Sequence, residues 1–497
     1  MINKISGMGR KLKKLYACAV VYLYLPIFLF LFGWTKLWIS IPIAMISSVG
    51  IYFGMQKIDY DTSKEFVIKK VDILLFFVLF MLLCIFCGGG DLFPQDYDWS
   101  KHHAIIRDLV MFRWPVKYDG DVMLTYYLGQ YIVPAFIGKV CGKSMLIAIW
   151  AQTVWNALGL LIVFCFICQK IKADNIWKKI GVFFIIVFWG GATGFGSKVY
   201  QKMGNAATLM AYKWIDFSRV LVHFASNFDA LRGAFQHLIV PWICCGMFLM
   251  NVKRVEIYVL LALPLFFSST FGFVYFALLL IGCVVIERVR EKNSTVIKRV
   301  FSKSNLFLLP QAVIFLIYYA GNVFGDKPQT GGFRIINMLE HWQFYIVFIA
   351  VEFMGYVVFL FWYKKKDMLY YLVVVQLLII LFISMGLFND LCSRGSIPAR
   401  FILMVWCIEQ LYEKKWKYVW NWLIICIMLL AGINAYREMK EVYTLASYGG
   451  LGNKDLIMDD FISLNGKAGN IEIRVDEAYN YYTLNYSESL FKRIGRR

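Results

Sequence analysis

The densest group of reactive side chains in the sequence runs from Gly88 to Val116. It contains Asp96 and Asp98, then Trp99, Lys101, His102, His103, Arg107 and Asp108. After Pro94 the stretch Trp99–Phe112 predicts one short helix. Ser100, Lys101, His103, Arg107 and Asp108 partly share a face of it at i, i+3 and i+4. Asp96 and Asp98 fall at its N-terminal end, where carboxylates are favoured. Paired carboxylates beside a cluster of cations are the residue types of proton transfer and anion binding. The plain alternative is a solvated amphipathic helix with acidic capping residues. A second polar group, Asp216, Arg219, His223, Asp229, Arg232 and Gln236-His237, lies in a stretch amphipathic enough to cover a cleft or to lie along an interface. Arg394 and Arg400 flank a late loop, where an arginine serves equally as a bidentate phosphate ligand or as a snorkelling interfacial residue.

These groups must be held by a membrane scaffold. Of the 497 residues 60% are hydrophobic and only 17% charged, with mean hydropathy +0.61. Soluble chains carry about 25% charged residues, so secreted, cytosolic and disordered classes are excluded. Apolar runs fall at 15–33, 37–55, 72–87, 145–168, 180–197, 236–251, 256–268, 270–286, 306–320, 343–362, 369–388, 398–413 and 419–436. The reading is an all-α polytopic membrane protein of about 13 transmembrane helices with juxtamembrane helices on the outer face.

The net charge of +20 suggests either nucleic acid or the positive-inside rule. Threading 13 spans from a cytoplasmic N-terminus gives seven inner segments. They hold 27 of the 52 Lys and Arg in 75 residues. The excess is therefore topological, and nucleic acid is excluded as a partner. Residues 124–140, rich in Tyr and broken by Pro134, are placed along the outer interface, because a crossing there would move every later basic loop outside. All five histidines then fall in or beside outer segments. Three regions follow: a helical hairpin and loop over 1–71, a core over 72–436, and a short extracytoplasmic tail over 437–497.

The cysteines, mostly in apolar runs, read as small hydrophobes, and the pairs Cys84/Cys87 and Cys165/Cys168 lack the His or second pair a metal or redox site needs.

With these residues in hand, the sequence resembles membrane glycosyltransferases of the GT-C superfamily. The anchors are Asp96-Tyr-Asp98 after a span, Trp114-Pro115, Tyr126-Tyr127 before Pro134, and the span that follows. Asp98-Trp-Ser-Lys-His102, Trp189-Gly-Gly191, Gln236-His237 with Pro241-Trp242, and Arg394-Gly-Ser-Ile-Pro398 match an uncharacterised bacterial branch. The anchors are short and cover roughly 72–436. The chain departs from the superfamily in having Asp-Tyr-Asp for its frequent Asp-Glu pair, two extra leading spans and a tail of only 61 residues.

The resemblance implies an enzyme that moves a sugar from a polyprenyl-phosphate donor to a glycan or lipid-linked acceptor. It would work on the outer face of a bacterial plasma membrane in cell-envelope polysaccharide synthesis. Asp98 or Asp96 would serve as catalytic base. Lys101, His102, His103, Arg107, Arg394 and Arg400 would hold the donor phosphate. Trp99, Asp229, Gln236 and His237 would touch substrate. The resemblance fixes no cofactor; Asp96 and Asp98 could bridge a divalent cation, which some members of the superfamily use and others do not. A polysaccharide polymerase or ligase and a lipid-linked sugar flippase are the competing functions.

Overall fold

The computed structural model describes residues 2–59, 67–96, 98–204, 207–210, 213–216, 222–291, 295–323, 332–386, 389–413, 419–449, 463–464 and 479–496. Of the residues singled out above, Tyr97 and Arg219 lie outside these. The described chain is an all-α bundle with a few two- to four-residue strands.

Its helices are α1 (Ile2–Trp34), α2 (Leu37–Lys57), α3 (Lys70–Phe86), α4 (Asp98–Met111), α5 (Ile132–Val140), α6 (Met145–Ile171) and α7 (Ile176–Phe188). Next come α8 (Thr193–Lys202), α9 (Asn227–Gly233), α10 (Ile239–Met250), α11 (Tyr258–Ser268), α12 (Thr270–Glu291), α13 (Thr295–Val300) and α14 (Lys303–Val323). The series closes with α15 (Trp342–Ile349), α16 (Gly355–Lys364), α17 (Met368–Ile379), α18 (Asp390–Gly395), α19 (Ile397–Tyr412) and α20 (Val419–Gly449).

Every apolar run expected from the sequence contains helix, although 180–197 is interrupted at Trp189–Ala192 and 369–388 passes into a strand at Ile383–Ser384; the count of 13 spans is not confirmed. Among the described residues eight helices are long and apolar enough to cross a membrane, or up to ten if each of two bent pairs counts as one span. The first pair, α7 and α8, is bent by 45° at Trp189–Ala192, and the second is bent by 114° between Gly233 and Phe235. The remaining runs form α3 with 17 residues and the shorter apolar helices Val255–Ser268 and Met368–Phe382. The physical reason is length: at 1.5 Å per residue a helix needs about 20 residues to cross some 30 Å of hydrocarbon. Helix α5, with nine residues, falls well short of that.

One end of the bundle gathers the irregular structure. Strand Val122–Leu124 pairs antiparallel with Lys117–Tyr118 and with Tyr482–Thr483 from the C-terminal segment. The Thr125 amide donates to the Tyr481 carbonyl at 2.8 Å, and Arg496 N donates to Trp34 O at 2.7 Å. The other end carries ion pairs of the basic loops, including Arg299 with Glu256 (2.9 Å) and Glu291 (2.8 Å), and Lys364 with Glu409 (3.1 Å). Lys179 and Asp72 form a buried pair at 2.6 Å. The core between the ends is aromatic: Phe30, Phe76, Phe164 and Tyr318 are fully buried, and edge-to-face packing adds to their area burial.

Candidate functional site

Helix α4 is fixed by the turn that precedes it. Gly88 and Gly90 adopt φ of 105° and 72°, a region glycine enters without steric cost. A Cβ on Gly88 would also stand 2.9 Å from the Trp99 indole nitrogen. The gap lets Gln95 Nε2 donate to Gly88 O at 2.7 Å and lets the Trp99 ring lie buried under the turn. Trp99 Nε1 then donates to Arg232 O at 2.7 Å.

His102 makes the second attachment. Its Nε2 is 3.1 Å from Gly233 O and its Nδ1 is 2.7 Å from the Tyr131 hydroxyl. A carbonyl only accepts, so Nε2 carries the hydrogen and Nδ1 receives the tyrosine proton. Burial pushes the imidazole down to about 4, the fields of Asp98 and Asp96 opposing it. His102 is therefore a neutral strut near pH 7 with both ring nitrogens engaged, rather than a cation turned toward a phosphate.

These two bonds set the carboxylates against the bend between α9 and α10. A Cβ on Gly233 would lie 3.1 Å from Asp96 Oδ2 and 3.7 Å from Asp98 Oδ2. Both acids of the motif thus face one backbone position. Lys101 Nζ pairs with Asp98 Oδ1 at 2.8 Å, and the Asp98 side chain keeps 44% of its surface exposed. Beyond the bend lie Gln236 and His237, both buried; His237 Nδ1 is 3.2 Å from Ser269 Oγ.

The late arginine reaches the same region. Arg394 pairs with Asp390 at 3.0 Å and acts electrostatically on Tyr126, Tyr127, Tyr481 and His237. Tyr126, pushed up to about 12 by burial, lies within the fields of Arg394, Lys101 and Asp98. Its ring packs on Tyr127 (4.8 Å) and Tyr481 (4.5 Å). Tyr126 and Tyr481 therefore lie within the fields of both Asp98 and Arg394, although these two residues are almost 300 positions apart in sequence.

The other expected site residues sit elsewhere. Arg107 pairs with Asp108 at 3.1 Å, and Asp108 also accepts from the Tyr118 hydroxyl (2.7 Å) and the Leu464 amide (2.9 Å). That knot ties α4 to the C-terminal segment. Arg400 stacks over Phe224 at 5.1 Å and donates to the Ala225 carbonyl. It senses Glu352 and Asp229 rather than Asp98. His103 lies against the Trp99 ring at 5.5 Å and 3.5 Å from Gln95 Nε2. Among the described residues no group of three or more His, Cys, Asp or Glu side chains is placed to hold a metal ion. A cation bridging Asp96 and Asp98 would thus have only two such side chains ready for it.

Sequence reasoning missed Glu438. It is 2% exposed on α20 and senses the charges of Asp229, Arg232 and Asp96. The Trp189-Gly-Gly191 anchor named from the sequence proves to be the centre of a polar hub at the α7–α8 break, whose partners were not legible. There Tyr356 OH donates to Gly190 O (2.8 Å), Asn434 Nδ2 donates to Gly191 O (2.9 Å), and Thr193 Oγ1 donates to Glu352 Oε1 (2.7 Å). Glu352 stands in a π-helical segment, Ala350–Met354, a distortion frequent at functional sites.

Next to this hub is an apolar cavity of about 560 Å³, lined by Phe188, Trp189, Tyr356, Leu411, Ile425 and Tyr436 among others. Comparison with protein-family models, curated proteins and solved structures returned no match for this chain.

Proposed function

We propose that the protein is a membrane glycosyltransferase of the outer face of a bacterial plasma membrane. It would move a sugar from a polyprenyl-phosphate donor to a glycan or lipid-linked acceptor. The observation that supports this most is the convergence of Asp96 and Asp98 on Gly233, with Arg394 acting on the same buried Tyr126 as Asp98 and Lys101. An inverting transfer needs a base for the acceptor hydroxyl and cations for the departing phosphate. In this reading Asp98, its side chain partly exposed, takes the proton as the acceptor oxygen attacks the anomeric carbon. The bond from that carbon to the phosphate oxygen breaks, and Arg394 and Lys101 receive the charge left on the phosphate. The apolar cavity near Trp189 lies within the size range of ligand pockets and suits the hydrocarbon tail of a lipid-linked substrate.

A second reading has its own observation. A bent pair of apolar helices, α7 and α8, with the buried Glu352 at its break is a pattern of transporters. The two are separated with the purified protein in liposomes carrying a labelled polyprenyl-phosphate sugar. Glycosyl transfer requires label to appear on a new acceptor and to be lost in Asp98→Asn. Movement of intact donor across the bilayer, lost in Glu352→Gln and kept in Asp98→Asn, would establish the transporter instead.

A further inference from the structure

The apolar cavity beside the helix break opens onto the surface of the bundle. Phe184 on α7 and Leu429, Ile433 and Tyr436 on α20 line it, and all four are exposed. Two of its tyrosines are already engaged: Tyr356 OH donates to Gly190 O at 2.8 Å and Tyr412 OH to Lys178 O at 3.1 Å. The wall is thereby left almost wholly hydrocarbon and aromatic. Apolar cavities do not hold water, so in a bilayer this one takes up a hydrocarbon chain.

Gly432 also lines the cavity. A Cβ there would meet nothing closer than Phe188 Cβ and Cδ1, both at 3.8 Å, so no neighbour demands a glycine. Glycine weakens a helix interior, and here the space it leaves becomes cavity volume. On α20 the lining runs from Ile425 to Tyr436, a rise of about 16 Å at 1.5 Å per residue. That is close to half of a hydrocarbon core about 30 Å thick.

The cavity ends at cations. Arg437 follows Tyr436, and a Cβ on Gly194, at the start of α8, would stand 3.4 Å from Arg437 Nη1. The guanidinium therefore lies just past the break at Trp189, itself a lining residue. Lys440 stands one turn beyond Tyr436, and both cations are exposed. Among the described residues neither forms an ion pair, although Glu441 is one turn from Arg437.

We propose that this cavity and its two cations bind one anionic phospholipid of the bilayer. An acyl chain lies between α7 and α20, and the phosphate rests on Arg437 and Lys440. An arginine fork matches two phosphate oxygens. A cavity one leaflet deep suits a chain whose phosphate sits at the membrane surface. A zwitterionic head would add an ammonium beside two cations, so the head is anionic, as in phosphatidylglycerol. The inference goes beyond the sugar-transfer reading and does not need it. The tail of a lipid-linked substrate entering this cavity would have to displace the phospholipid.

The test titrates the full-length protein in neutral detergent with radiolabelled phosphatidylglycerol. Wild type should bind it saturably, and phosphatidylcholine should compete at least about tenfold less well. Arg437→Gln should weaken binding about tenfold. Gly432→Leu, which fills the cavity while favouring the helix, should weaken it by about as much or more. Lys298→Gln, among the basic loops at the other end, should bind as wild type does. Melting curves without lipid show which variants are folded. Wild-type affinity in either folded variant overturns the proposal, as does equal competition by phosphatidylcholine. An equal loss in Lys298→Gln would reduce the effect to overall charge and overturn it too. Saturable binding of polyprenyl phosphate with none of phosphatidylglycerol would give the cavity to the substrate alone.

Discussion

Lowering the pH should destabilise this protein through His102, and the size of the effect follows from how the ring is held. In the folded protein Nδ1 is occupied by the Tyr131 hydroxyl and burial holds the imidazole near 4. In the unfolded chain the imidazole returns to about 6.5. Between these values the unfolded state binds a proton that the folded state refuses, so stability rises with pH across the window and is lost as pH falls. The contribution is nearly complete at pH 7. At pH 5 the loss from this one ring is on the order of 2 kcal/mol.

Because other groups also titrate, the informative quantity is the difference between wild type and His102→Gln. A glutamine amide can still donate to Gly233 O but has no proton to gain. Unfolding in denaturant from detergent micelles, followed by tryptophan fluorescence at pH 7 and pH 5, measures both proteins. Wild type should lose about 2 kcal/mol more than the variant between the two pH values. Equal losses would refute the reasoning and show that the ring is reached by water or bonded differently.

Other substitutions test the scaffold and the site. Asp72→Asn should destabilise the protein by about 3–5 kcal/mol, because Lys179 would be left buried without its 2.6 Å partner; the double replacement Asp72→Leu with Lys179→Met should recover most of that in the same denaturant assay. Gly191→Ala would drive a methyl group into Glu352 Oε2 and to 2.8 Å from Glu352 Cα, and should cost about 1–3 kcal/mol or more by overpacking, seen as a lower melting temperature. Arg394→Ala should weaken binding of a polyprenyl-phosphate sugar about tenfold or more while the protein stays folded, and an unchanged affinity in equilibrium binding would return Arg394 to a purely interfacial role.

The apolar runs were legible because hydrophobic length is written locally, and each of them contains helix. Their interruptions were not. The break at Trp189–Ala192 depends on Tyr356 and Asn434 taking the carbonyls of Gly190 and Gly191, contacts from more than 160 residues away. The Asp98 helix could be placed from Pro94 and its polar face. That His102 is a neutral strut could not, since its partners Tyr131 and Gly233 lie in other elements. Glu438 was hidden by a boundary. The apolar run ends at 436 where Arg437 and Glu438 begin, but α20 continues to Gly449. A signal was present: Ala431, Asn434, Ala435, Glu438 and Val442 repeat at helical spacing, and all are buried. The separation of Arg400 from Arg394 had no such signal. Six residues on, Arg400 points toward Phe224 and Glu352, while Arg394 faces the tyrosines.

The central claim is that Asp98 acts as a base in glycosyl transfer, and the most direct measurement is the transfer rate of Asp98→Asn. The asparagine preserves shape but removes the proton acceptor, and general-base catalysis contributes about 10²–10⁴-fold. Purified Asp98→Asn, supplied with labelled polyprenyl-phosphate sugar and membrane glycolipid acceptors, should therefore transfer at least about 100-fold more slowly while still binding the donor. Asp96→Asn should lose less. Wild-type rates in Asp98→Asn, in Asp96→Asn and in the double variant would contradict the account.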